Sequence, residues 1–108
     1  MNHEVYHARA AVMKALANPA RLMIVDQLKG GERCICELQP LFRKDKSTLS
    51  RHVAALRKAG IVSERREGVR VYLKLVTPCI LNIFDCVSRV LEAEARRAVR
   101  VTRKGKPR

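Results

Sequence analysis

The chain has 108 residues, enough for one domain around one apolar core. Lysine and arginine outnumber acids 23 to 10, a formal charge of +13; the thirteen residues from Arg96 onward hold seven cations and no acid, and without them the body still carries +6. Such an excess calls for a polyanion, nucleic acid before a membrane surface, since no basic amphipathic anchor with an aromatic edge is present. The longest uncharged stretch of the C-terminal half, Leu75 to Phe84, has ten residues and a proline, too few to cross a bilayer. Glu4 and Lys14 break up the N-terminal apolar segment, so no secretory signal is expected and the protein is expected to be cytoplasmic. In that reducing setting Cys34, Cys36, Cys79 and Cys86 read as thiols for metal or redox chemistry, or as small core residues, and not as a structural disulfide set.

Val5, Ala8, Val12, Ala15 and Leu16 recur at helical spacing and predict a first helix over Glu4 to Leu16. Asn18-Pro19 predicts the start of a second, with asparagine as cap and proline at the first helical position, running through Leu22, Val25 and Leu28 to Gly30-Gly31. Ile35, Leu38 and Leu41 or Phe42 mark a short helix beginning near Cys34, and Arg43-Lys44 reads as the turn after it. Asp45 is the expected cap of the next helix, whose core stripe is Leu49, Val53 and Leu56 and whose end is Gly60. From Val62 the period changes to two, with Val69, Val71, Leu73 and Leu75 on one side and Arg70, Tyr72 and Lys74 on the other. Glu67-Gly68 supplies the turn of a β-hairpin over 62–75, with Arg65, Arg66 and Arg70 near its tip. Pro78 opens a last helix, in which Ile80, Leu81, Ile83, Phe84, Val87, Val90 and Leu91 make an apolar band wider than one seam.

A band that wide on a terminal helix suggests a dimer surface, with Val5, Val12, Ile83, Phe84, Val87 and Leu91 as the expected interface residues. Beyond it the basic run with Gly105 and Pro107 is expected to be disordered, giving a domain over 1–98 and a tail over 99–108. The order of elements is mainly α with a β-hairpin wing, that of a winged helix-turn-helix with N- and C-terminal dimerisation helices. Its fourth helix carries Ser47, Ser50, Arg51, Ala54 and Lys58 opposite the core stripe, and no acid occurs from Lys46 to Ile61. A small, polar, basic face of that kind can enter the major groove of double-stranded DNA. Ser50 and Arg51 are the leading base-contacting candidates, with Ser47 and Thr48 next; Lys46, Arg57 and Lys58 suit phosphate. Arg65, Arg66 and Arg70 serve equally as wing contacts or as solubilising charge, and His52 suits packing or phosphate better than metal.

Three ordered segments resemble the ArsR/SmtB family of metal-responsive repressors. Glu32-Arg33-Cys34-Ile35-Cys36-Glu37-Leu38 resembles its arsenic-site signature, Leu49 to Ile61 is similar to its recognition helix and exit, and Ala15 to Leu22 resembles the entry to its second helix. The resemblance covers roughly Val12 to Leu75 and implies a homodimer on a palindromic operator that leaves the DNA when its inducer binds. The inducer implied is trivalent arsenic or antimony on Cys34 and Cys36, without an organic cofactor and without catalysis. Arsenic-site members commonly carry a third cysteine where this chain has Gln39, so a third thiolate has to come from Cys79, Cys86 or an external thiol, unless two suffice. No histidine follows His52, which disfavours a zinc site on the terminal helix.

Cys34 at a helix start beside Arg33 is expected to be a thiolate-prone ligand, and two residues of one regular helix point about 200° apart, so joint binding would require a distorted first turn. Cys79 and Cys86, seven apart, are expected on one helix face, packing as small hydrophobes or completing the thiol site. A redox or persulfide sensor of the same fold is the alternative reading of the Cys-x-Cys pair.

Overall fold

The computed structural model describes residues 2–42 and 46–105; the side chains of Lys46 and of 101–105 lie outside that description, as do the expected turn at Arg43-Lys44 and the expected cap Asp45. Helix α1, His3–Leu16, starts at Asn2, whose side chain accepts from the Glu4 N–H at 3.0 Å. Asn18 acts likewise for α2, Pro19–Gln27, accepting from the N–H groups of Ala20 and Arg21 at 2.9 and 3.3 Å, while Pro19 gives up a donor that has no helical partner anyway. Next come a two-residue strand β1, Arg33–Cys34, the short helix α3, Ile35–Leu38, and a 3-10 turn over Gln39–Leu41.

Helix α4, Lys46–Lys58, buries the expected stripe of Leu49, Val53 and Leu56. It stops by a double reversal: Ile61 N–H donates to the Leu56 carbonyl and Gly60 N–H to that of Arg57, both at 2.9 Å. That geometry needs a left-handed residue, and Gly60 supplies it at φ 83°. The hairpin follows as β2, Val62–Glu67, and β3, Arg70–Leu75, with Glu67 opposite Arg70 and Gly68-Val69 as its loop, Gly68 at φ 63°. Val69, assigned to the apolar side of the strand by alternation, sits in that loop and is 98 % exposed.

Strand β1 is not foreseen by periodicity, because two residues carry no period. It pairs antiparallel with β3, Arg33 opposite Leu73 and Cys34 opposite Tyr72, so the hairpin becomes a three-stranded sheet in the order β1-β3-β2. The core of this part of the chain joins Ile24, Val25 and Leu28 of α2 and its exit to Leu38, Leu49, Leu56 and Leu73. One guanidinium also ties three helices together. Arg21 donates through Nε to His52 Nδ1 on α4 at 3.1 Å and through Nη1 to the Ala15 carbonyl at the end of α1 at 3.3 Å.

The chain divides into two compact units, residues 1–78 and 79–108. Pro78, the last residue of the first, opens a 3-10 turn, Pro78–Ile80, and in the second helix α5 runs Leu81–Gly105. The backbone from 99 to 105 continues this helix, where a disordered tail is expected. Residues 106–108 lie outside the description. Ile83 and Phe84 are half-buried within the single chain, whereas Val87, Val90 and Leu91 are exposed.

His52 accepts the Arg21 hydrogen bond only when that nitrogen is unprotonated, and its pKa is lowered by burial first and then by the positive fields of Arg21 and Arg51. A depressed histidine pKa means that the unfolded chain takes up the proton first as pH falls. Folding stability should thus be highest above the ordinary histidine value and decline as pH drops through it toward the lower folded value. Urea unfolding between pH 8 and pH 5 checks this, and His52→Gln should flatten that part of the profile.

Candidate nucleic-acid interface and thiol site

Ser47, Ser50, Arg51 and Lys58 are exposed along α4 and Thr48 is half-buried; Arg51 Nη2 donates to Thr48 Oγ1 at 3.4 Å, one turn earlier on the helix. Lys46 opens the helix, and its side chain lies outside the described residues. Arg57, expected on phosphate, is ion-paired with Glu64 of β2.

The wing arginines, equivalent in sequence, differ in structure. Arg65 grips Glu32 with two donors at 2.7 and 3.0 Å, reaches Glu67 at 2.8 Å and stacks over the Tyr72 ring at 4.6 Å. Its hydrogen bond to Glu32, and then that to Glu67, raise its pKa, and the same bond lowers that of Glu32. Arg65 is therefore a clamp between the segment entering β1 and the hairpin, with little donor capacity left for DNA. Arg66 is exposed, with no carboxylate in ion-pair reach among the described residues. Arg70 bonds to the Tyr72 hydroxyl and lies close enough to Cys34 and Cys36 to feel their charge, which raises its pKa.

Cys34 is buried and Cys36 exposed, and the two thiols already meet. Cys34 belongs to extended backbone, φ −71° and ψ 142°, as the last residue of β1 and the cap of α3. Its Sγ accepts from the Cys36 N–H at 3.2 Å while Glu37 Oε1 accepts from the Cys34 N–H at 3.0 Å. This is a capping box with sulfur in place of a hydroxyl. The 200° divergence expected of two residues in one regular helix does not apply to this pair, because only Cys36 is in the helix and Cys34 is its extended cap. The Cys36 thiol hydrogen-bonds to Cys34 sulfur, holding Cys34 below and Cys36 above the usual thiol range.

The cation assisting the thiolate is Arg70, not Arg33. Arg33 is occupied by Gln27 at 2.9 Å and Glu37 at 3.1 Å. Both cysteines open on a concavity of about 510 Å³ that Gln39, Val69, Arg70 and Val71 also line. Among the described residues no group of three or more histidine, cysteine or acidic side chains gathers to hold an ion. Cys79 and Cys86 do not share a helix face: Cys79 is in the 3-10 turn, Cys86 is in α5, and both are exposed in the single chain, so neither is a core residue there. No helix among the described residues is long and apolar enough to cross a membrane.

The family model of the bacterial regulatory proteins of the arsR family matches residues 18–64, which run from the cap of α2 into β2. An uncharacterized HTH-type transcriptional regulator of Methanocaldococcus jannaschii is 34 % identical over 88 residues, 81 % of this chain and 99 % of the relative. The chain belongs to the ArsR/SmtB family. It is a winged helix-turn-helix transcriptional regulator and not an enzyme. An arsenic resistance transcriptional regulator of Pseudomonas putida is 42 % identical over 65 residues, covering 59 % of this ArsR/SmtB chain and 51 % of the relative. The homodimeric winged helix-turn-helix DNA-binding domain of a possible ArsR-family regulator from Mycobacterium bovis superimposes with a TM-score of 0.73 at 32 % identity, covering 88 % of each chain.

The two neighbouring wing arginines give a direct test of this interface. Arg66→Ala should reduce the slope of log affinity against log salt for duplex DNA by about 0.9, the amount expected when one phosphate fewer is neutralised. Arg65→Ala should leave that slope nearly unchanged and lower the urea midpoint instead. Fluorescence anisotropy across a salt series, with urea melts on the same variants, measures both.

Proposed function

We propose that this chain is a homodimeric repressor that binds palindromic operator DNA through α4 and the wing, acts in the cytoplasm, and is released when trivalent arsenic or antimony binds Cys34 and Cys36. The observation that carries the reading is the thiol pair itself: two neighbouring sulfurs, one biased toward thiolate, at the start of the first helix of the helix-turn-helix, with Cys34 as its cap and Cys36 inside it. Soft thiolates suit a thiophilic ion far better than oxygen ligands do. The Pseudomonas putida relative, named for arsenic resistance, supports the choice of inducer.

Release requires the inducer to bind the DNA-free form more tightly than the bound form. The geometry offers a route for that difference. Cys34 is part of the β1–β3 ladder and caps α3, so an ion drawing on its sulfur pulls on both the sheet and the first helix of the motif. Ser50 and Arg51, with Ser47, Thr48 and Lys58, are the residues assigned to DNA on α4, joined by Lys46 and by Arg66 on the wing.

Dimerisation is supported by apolar side chains left exposed on two helices, Val5, Tyr6 and Met13 on α1 and Val87, Val90 and Leu91 on α5, and by the homodimer of the Mycobacterium bovis domain. Leu91→Glu would bury a charge in such an interface and should shift the sedimentation coefficient toward a monomer at micromolar concentration, with operator affinity falling in parallel. A wild-type monomer at that concentration contradicts the dimer.

Cys34→Ser with Cys36→Ser should keep folding and operator affinity, because a serine hydroxyl takes over the cap that sulfur provides, yet arsenite should no longer release the DNA. Titration of reduced wild type and the double variant with arsenite on labelled operator reads this out. Equal release from both would remove the pair from the mechanism. Release by peroxide that reductant alone reverses, with no response to arsenite, would instead assign the thiols to redox sensing, the second reading that the thiolate bias of Cys34 favours.

A further inference from the structure

A trivalent metalloid satisfied by sulfur takes three thiolates, and the first unit holds two cysteines, Cys34 and Cys36. Among the described residues of that unit, no third histidine, cysteine or carboxylate joins them to make a metal-holding group. The space in front of them is nonetheless much larger than an ion requires. At about 510 Å³ the concavity falls within the range of sites that hold small molecules.

Its lining is uneven in a way that describes a ligand. Ile35, Val69 and Val71 give an apolar wall, Gln39 contributes an amide, and Arg70 contributes a guanidinium. Arg70 bonds to the Tyr72 hydroxyl but has no carboxylate partner among the described residues, in contrast to Arg33, Arg57 and Arg65, each tied to a glutamate. A guanidinium has five donors, so most of its capacity faces outward and invites an anion.

We propose that the third metalloid ligand is a small carboxylate-bearing thiol, seated in this concavity with its sulfur on the ion and its carboxylate on Arg70. The inference rests on the metalloid-sensing reading above. The chemistry is ligand exchange without oxidation or reduction. Arsenite has three As–O bonds; each breaks as an As–S bond forms to Cys34, to Cys36 and to the external thiol, and the three thiol protons leave with the hydroxides as three waters. The in-chain pair supplies proximity, since the first As–S bond makes the second intramolecular. Arg70 then decides which external thiol stays.

Native mass spectrometry of the reduced full-length protein tests this. With arsenite and glutathione, whose carboxylates can meet Arg70, the expected mass is protein plus one arsenic plus one glutathione. With arsenite and the neutral thiol 2-mercaptoethanol, the ternary species should be several-fold less abundant at equal thiol. Arg70→Gln should reduce the glutathione species about threefold, the scale of an exposed ion pair, and leave the 2-mercaptoethanol species unchanged; Arg70→Lys should restore part of the loss. Arsenic retained on wild type with no small thiol, or equal retention of both thiols by wild type and Arg70→Gln, overturns the proposal while leaving the metalloid reading standing. Arsenic bound equally well by the Cys34→Ser, Cys36→Ser variant overturns that reading and, with it, this one.

Discussion

The two-residue ladder between β1 and β3 is the constraint on which the rest of the site depends. By setting Cys34 opposite Tyr72, it fixes Cys34 in extended backbone, and extended backbone is what an N-cap requires. The same residue thereby ends a strand, begins a helix and turns its sulfur toward Cys36. It also lays the start of α3 against the strand that carries Arg70, which is how a wing residue comes to influence a thiol on the helix-turn-helix. Without the ladder, the Cys-x-Cys pair would be two divergent positions of a helical turn.

Charge is sorted by partner and not by count. The chain has 23 cationic side chains, but carboxylates claim several of those nearest the sheet: Arg33 pairs with Glu37, Arg57 with Glu64, and Arg65 with Glu32 and Glu67. These pairs are exposed or half-exposed, so each contributes little to stability by itself. Their larger effect is to fix which cations are engaged. Arg51, Lys58 and Arg66 keep their charge available to a polyanion, while Arg65 holds the hairpin to the loop before β1. Long-range steering still draws on every cation, since attraction to DNA depends on net charge as well as contacts.

The helices are registered by a different device. Arg21 reaches both His52 on α4 and the last turn of α1, so the orientation of the proposed DNA-contacting helix is coupled to the helix pair behind it by one guanidinium. Burial of Leu49, Val53 and Leu56 holds α4 in place but is compatible with small rotations; a hydrogen bond to a specific ring nitrogen is not. That leaves α4 between two anchors, the Arg21 bond at its buried side and the reversal at Gly60 that leads directly into β2. A ligand on Cys34, as proposed, would work against this frame, and the stiffness of the frame is what would let a local pull at α3 be felt as a change of pose at α4.

Sequence alone determined the helix boundaries at Asn18-Pro19 and Gly60, the buried stripe of α4, the hairpin and the Cys-x-Cys pair, because caps, a left-handed glycine and periodicity are local and each carries its own signature. Residue order also indicated the family, since three separate segments agreed in their spacing. Only the tertiary structure decided that β1 exists, that Cys34 is an extended cap and not a helical residue, and that Arg65 and Arg66 differ, because these depend on Glu32, Tyr72 and Arg70 arriving from more than thirty residues away. It also carried α5 through Gly105 in the basic C-terminal segment, where composition pointed to disorder. Periodicity reports which face a residue occupies; what stands opposite that face is a property of the fold.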